Sequence, residues 1–245
     1  MNSAVKVSPF VSGHSISKVV MLLLALSLLV SAYGVIMQYS LAGTLSQLDP
    51  GKAVPQKDIN SHAEKTQIFN MVSLPVALLT AVFFLVWIHR VYRNLPALGA
   101  RGLKYSPGMA VANFIIPIIQ LFRPFFVMRD IWKASDPGVD AGDGSGWKKA
   151  HGSFMLNLWW LCFAVGLFIN YAYLVLLFVF ISKIEAGVFL NMTYAIMFAH
   201  ILGILATVML ILMVRSIDHR QDDKSRHMGI ASAPPGNVTL KGAGA

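Results

Sequence analysis

The chain has 245 residues, of which 56% are hydrophobic and only 13% charged, a balance outside the range of soluble domains. Its formal charge of +9 suits nucleic acid or an anionic membrane surface, and the gathering of apolar residues into blocks favours the membrane, so no nucleic-acid partner is expected. The single cysteine, Cys162, lies within an apolar run, which excludes an intramolecular disulfide.

Four segments reach the ~20 residues needed to cross a bilayer as helix: residues 19–39, 68–88, 154–181 and 194–214, none of which holds Asp, Glu, Lys or Arg. A backbone facing lipid must satisfy its own hydrogen bonds, so these are read as helices, and the expected fold is an all-α integral membrane protein. Lys18 before the first segment and Val30-Ser31-Ala32 within it loosely resemble a secretory signal and its cleavage site. The apolar run continues through Met37, past a signal core, and predicts a retained helix. Pro75 is placed in the first turns of the second span, where its missing N–H costs little.

The connection Ser40 to Gln67 mixes both charges around two prolines and reads as a solvated loop without a motif. After the second span comes a basic stretch with Arg90, Arg93, Arg101, Lys104, Arg123, Arg129, Lys133, Lys148 and Lys149. With four spans, this stretch and the two tails (Lys6, Lys18; Arg215, Arg220, Lys224, Arg226, Lys241) put sixteen basic residues on one side. The other side holds four: Lys52, Lys57, Lys65 and Lys183. Both termini and the central stretch are therefore expected in the cytoplasm. Met109 to Phe122 is apolar but short and broken by Pro117, and a fifth span there would split the basic residues between the two faces. It is read as re-entrant or interfacial.

The central stretch resembles a known family. Tyr92-Arg93-Asn94-Leu95, Ala97-Leu98-Gly99, Ser106-Pro107-Gly108, Pro117, Leu121, Arg123-Pro124, Met128-Arg129, Ile131-Trp132 and Ala134-Ser135, with the later Trp159-Trp160 pair, are similar in order and spacing to the bacterial multi-pass membrane proteins of domain of unknown function family 4328. Val111-Ala112-Asn113 stands where that family's pattern has tryptophans. The resemblance implies a membrane location over most of residues 19–214 and brings no activity with it.

Read physically, Arg90, Arg93, Arg101 and Lys104 form a basic collar, which either only fixes topology or attracts anionic headgroups. The candidate headgroup or ligand-binding set is Arg90, Arg93, Asn94, Arg101, Lys104, Arg123 and Arg129, with Asn94 and Gly99 as alternative helix terminators. From Phe125 to Ala134 the helical period groups Phe125, Val127, Met128, Ile131 and Trp132 opposite Arg129, Asp130 and Lys133, which predicts a helix lying in the membrane interface. Phe126 falls among the polar residues, and a protein partner is expected to cover it. Asp130 is expected to pair with a nearby arginine.

Within the spans, Asn157, Asn170 and His200 are the polar groups of note. His200 shares a face with Ala199, Gly203 and Thr207, so this face is expected to pack closely on another helix with the imidazole hydrogen-bonded across the contact. Asp136, Asp140 and Asp143 lack the ligand spacing of a calcium loop, and Gly144-Ser145-Gly146 lacks the first glycine of a nucleophile elbow. No cofactor, metal or catalytic residue is expected, and residues 215–245 read as a disordered cytoplasmic tail. The leading expectation is a non-enzymatic membrane protein whose partners are anionic lipid, a second copy of itself or another membrane protein. A small oligomeric transporter or channel subunit, with Asn157, Asn170 and His200 along its path, and an enzyme acting on a phosphorylated lipid through Asp130 are the alternatives.

Overall fold

The computed structural model describes residues 8–52, 54–139, 144–180 and 185–230, apart from the side chains of residues 177, 179 and 180. Asp140, Asp143, Lys183 and the last fifteen residues of the expected tail, 231–245, lie outside the described residues. The elements are helices α1 (His14–Leu45), α2 (Gln56–Asn94), α3 (Pro107–Ala112), α4 (Arg123–Ala134), α5 (Phe154–Phe180) and α6 (Ala186–His227), with short 3-10 turns at Ile119–Leu121 and Gly146–Lys149. The fold is all-helical, with no strand among the described residues.

Helices α1, α2, α5 and α6 are long and apolar enough to cross a membrane. Their most apolar windows are only 11 to 22% buried within the protein, so most of that surface faces outward. Leu29, Ile36, Ile68, Met71, Phe168 and Phe178 are among the exposed side chains, and lipid is the medium in which so much exposed apolar surface is stable. Among the described residues, the segment between α2 and α5 contains only short helices, none of spanning length, and four apolar helices are long enough to cross a membrane.

All four helices differ in length from the predicted spans, and α2 and α6 differ most. At 1.5 Å per residue, α6 is about 63 Å long, roughly twice the ~30 Å apolar thickness of a bilayer. Residues 56–67 belong to α2 and residues 215–227 to α6. The expected loop and the expected disordered tail are corrected to helix over these ranges. In the tail the reason is tertiary: Asp218, Gln221, Lys224 and Ser225 are buried and hydrogen-bonded, which outweighs their polar composition.

The chain divides into two compact units. One comprises Val19–Phe84 and Phe154–Met213. There the connection before α2 packs on the start of α6: Leu41, Leu45, Val54 and Ala186 form a buried cluster flanked by Leu48, Phe189 and Leu190. The first N–H groups of α6, which have no partner within their own helix, are met by this connection, Ala186 N donating to Lys52 O and Gly187 N to Pro50 O, each at 3.0 Å. Where α5 and α6 approach, Gly166 faces the Ala199 carbonyl and Leu202. A side chain added at Gly203 would meet nothing within 4 Å, so the close contact expected at Gly203 is corrected to Gly166 and Ala199.

The other unit comprises Met1–Lys18, Leu85–Ser153 and Val214–Ala245. Its core is Trp87, Ile88, Val91, Tyr92, Leu95, Leu98, Val127, Met128, Ile131 and Ile217, all nearly inaccessible. Helix α2 ends at Asn94, and Gly99 takes φ 84° in the turn that follows, consistent with the terminator reading. Ser106 caps α3 by accepting from Met109 N at 3.2 Å, with Pro107 at the first helical position. Arg220 donates to Trp132 O at 3.0 Å and Lys224 to Ala134 O at 2.9 Å. Two cations of α6 thus satisfy the last carbonyls of α4, at the end where the helix dipole favours positive charge.

Candidate functional site

In the unit built on Leu85–Ser153, the basic set identified in the sequence separates by environment. Asn94 is 1% exposed. Its Oδ1 accepts from Val11 N at 3.2 Å, and its Nδ2 donates to Val11 O at 2.9 Å and to Gln221 Oε1 at 3.0 Å. These bonds hold the segment preceding α1 against the end of α2. Arg90 is half-buried and reaches Ser12 O at 3.5 Å. Arg129 lies over the Phe126 ring at 5.0 Å and 3.8 Å from the Asp130 carboxylate. The protein's own arginine thus stands over Phe126, where a partner was expected.

Arg93, Arg101, Lys104 and Arg123 are exposed, and none pairs with a carboxylate among the described residues. The guanidinium of Arg123 is 3.5 Å from Asn113 Oδ1, and the Lys104 ammonium sits over the Tyr105 ring. Arg101 is fixed at its backbone, its N–H donating to Gly144 O at 2.7 Å and its carbonyl accepting from Trp147 Nε1 at 3.0 Å, which leaves the side chain outward.

Between Lys104 and Arg123 the chain carries an apolar tip. Ile115, Ile116, Ile118 and Phe122 are 57, 39, 73 and 57% exposed. Ile118 has φ 65° and ψ −50°, with Ile119 N donating to Pro117 O at 2.7 Å. This is a γ-turn of the rarer, strained hand, centred on a β-branched residue and holding its side chain outward. Such backbone costs about 1–3 kcal/mol and persists where the surroundings impose it.

Helix α4 is amphipathic as predicted, yet Val127, Met128 and Ile131 are fully buried within the protein. The expectation that this stripe lies in the membrane interface is corrected: protein covers it, and the free apolar surface lies upstream at 115–122. Asp130 is 7% exposed, and burial lifts its carboxyl above the usual 3.8, with Arg129, Lys104, Lys133 and Lys148 pulling the other way. A carboxylate so enclosed offers no open base beside the exposed cations.

In the unit built on Val19–Phe84 and Phe154–Met213, His200 sits against α1 and α2. Its ring is in edge contact with Phe69 at 6.3 Å and lies where a Cβ at Gly34 would fall 2.8 Å from Cε1, so any side chain at position 34 must displace the imidazole. No side chain hydrogen-bonds the imidazole among the described residues. It instead borders an open, mostly apolar cavity of about 500 Å³ in which Ser27, Ser31, Asn70 and Ser73 are the other polar side chains. Asn170 donates to the Gly166 carbonyl of its own helix at 2.8 Å, Asn157 is exposed, and neither lines this cavity. The serines and Asn70, absent from the sequence reading, sit at helical spacing facing the histidine, a pattern visible only once the helices are paired.

The model of a family described as Domain of unknown function (DUF4328) matches residues 52–219, which include the whole central stretch, helices α2 and α5 and most of α6, and leave α1 outside the match. No curated protein and no solved structure matches the chain.

Proposed function

Starting from a chain that belongs to the DUF4328 family, whose description carries no activity, we propose a non-enzymatic membrane protein of the bacterial inner membrane that binds anionic lipid through the segment 101–123. The observation that supports this reading is the strained, exposed apolar tip at Ile115, Ile116, Ile118 and Phe122, set between the exposed cations Arg101, Lys104 and Arg123, which form no ion pair among the described residues. Insertion of such a tip with cations at the headgroup level gains apolar burial at about 25 cal/mol per Å² and about 1 kcal/mol for each cation near an anionic surface. The excess of basic residues on the side holding this segment supports a cytoplasmic placement for it and for both termini. The enzyme alternative rests on Asp130, whose burial argues against it.

The test places one cysteine at Ile118 on a Cys162→Ser background, labels it with an environment-sensitive fluorophore, and reconstitutes the full chain in nanodiscs with quencher-bearing lipids. We expect a blue-shifted, lipid-quenched emission in anionic phosphatidylglycerol that weakens in neutral phosphatidylcholine. Aqueous emission in both would exclude lipid as the ligand of this segment.

A second reading, an oligomeric transporter or channel subunit, is favoured by one observation, the cavity beside His200 in the apolar unit, where Ser27, Ser31, Asn70 and Ser73 interrupt a mostly apolar lining. An ionisable side chain at membrane depth beside such polar groups is a candidate for a conduction path. Proton or ion flux in proteoliposomes that is lost in His200→Ala supports it, and absence of any flux from the wild-type chain removes it.

A further inference from the structure

His14, at the start of α1, meets Asp218 and Asp222 of α6, and one donor atom from each lies within 4.8 Å of the others. His14 Nδ1 is 3.1 Å from Asp218 Oδ2.

The carboxylates are held in place. Ser17 Oγ donates to Asp218 Oδ1 at 3.1 Å and is itself fixed by Trp87 Nε1 at 3.1 Å, deep in the core. The Ser12 side chain hydrogen-bonds Asp222. Each aspartate thus has its own serine, as outer-shell partners orient metal ligands. Oδ2 of Asp218 is the oxygen turned toward the imidazole.

The sequence holds 20 Lys and Arg against 11 Asp and Glu, yet these two aspartates stand four residues apart on one helix face, an arrangement that is repulsive by itself. Neither forms an ion pair with lysine or arginine within 4 Å among the described residues. One imidazole balances at most one of the two charges, whereas a divalent ion balances both.

We propose that His14, Asp218 and Asp222 bind a divalent transition ion of the zinc class. An imidazole with two carboxylates suits zinc better than magnesium or calcium, which take oxygen donors. Tetrahedral zinc with bonds near 2.0–2.1 Å sets its ligand atoms about 3.3 Å apart. The His14 to Asp218 separation of 3.1 Å already matches, and the third donor, on Asp222, lies within 4.8 Å of the other two. His14 is the exposed member, which gives the ion a way in.

The full chain, purified in detergent without a histidine tag and stripped with chelator, is titrated with cobalt as a visible probe and then with zinc. Saturable uptake of one cobalt per chain, displaced by zinc and lost in both His14→Gln and Asp222→Asn, is the expected result. Ser17→Ala should keep the site with affinity lowered about 10- to 100-fold. Without metal, Asp222→Asn should melt higher than the wild type, and zinc should reverse the order. No uptake by the wild type, or uptake unchanged in His14→Gln and Asp222→Asn, overturns the proposal and leaves a His14–Asp218 ion pair.

Discussion

The carboxamides of Asn94 and Gln221 share a hydrogen bond of 3.0 Å in the core of one unit, 127 residues apart in sequence. Asn94 also pairs with both backbone groups of Val11, while Gln221 Nε2 donates to Val91 O at 3.0 Å and Ser135 Oγ at 3.1 Å. Replacing Asn94 with leucine strands the Val11 amide and the Gln221 carbonyl, and buried polar groups without partners cost about 1–3 kcal/mol each. Asn94→Leu should therefore destabilise by about 2–4 kcal/mol in detergent unfolding. A double-mutant cycle with Gln221→Leu should show coupling well above zero, whereas additive losses would mean the pair does not act together.

The cations that cap α4 should matter through their geometry. Arg220 bonds Trp132 O and Asp136 Oδ2, both at 3.0 Å, and lies over the Trp132 ring at 4.2 Å. Lysine keeps the charge but cannot make the forked contact, so Arg220→Lys should lose about 1–2 kcal/mol. Thermal melts compared with Arg220→Ala would check this, since equal stability of Arg220→Lys and wild type would assign the effect to charge alone.

Asp130 should make one unit less stable as pH rises. Burial raises its carboxyl above 3.8, so the folded chain holds the proton more tightly than the unfolded one and stability falls as pH climbs from that value. Asp130→Asn should match the wild type at low pH, exceed it at neutral pH and flatten this slope. Denaturant unfolding at acid and neutral pH measures the difference.

A methyl group at position 34 should be poorly tolerated. Its carbon would stand 2.8 to 3.0 Å from three atoms of the His200 ring, which Phe69 faces from another helix. Gly34→Ala should cost about 1–3 kcal/mol by overpacking. The double variant Gly34→Ala with His200→Ala should recover most of that loss, and failure to recover would place the strain in the α1 backbone.

Glycine at position 118 should relax the γ-turn. Ile118→Gly is expected to leave folding unharmed or to stabilise it by up to about 1 kcal/mol, because φ 65° carries no penalty for glycine. Lipid-dependent quenching at a neighbouring probe on Ile115 should fall in the same variant. Stability and lipid contact moving in opposite directions would mark the strain as serving the contact.

The four apolar helices were readable because each is an unbroken run without charge, a signal that needs no tertiary information. Their full lengths were not: Gln221 and Lys224 look like tail residues until the carbonyls of Val91 and Ala134 are placed beside them. The period of α4 was correct, but periodicity describes a face without naming what covers it. Buried Val127 and Ile131 could equally have met lipid. At the candidate site, adjacency in sequence grouped Asn94 with Arg93, although a step of about 100° per residue turns neighbours to different sides of a helix. Here Asn94 is buried and Arg93 exposed. The meeting of His14 with Asp218 spans 204 residues, and no local pattern announces it.

That same separation orders events during synthesis. His14 and Ser17 are translated more than 200 residues before their partner Asp218. Closure of this unit must wait for α6, and a ribosome stalled before α6 leaves Trp87, Ser17 and the end of α2 exposed. Chains that lack α6 should therefore display apolar core residues to proteases and chaperones, a check that only chains carrying α6 pass.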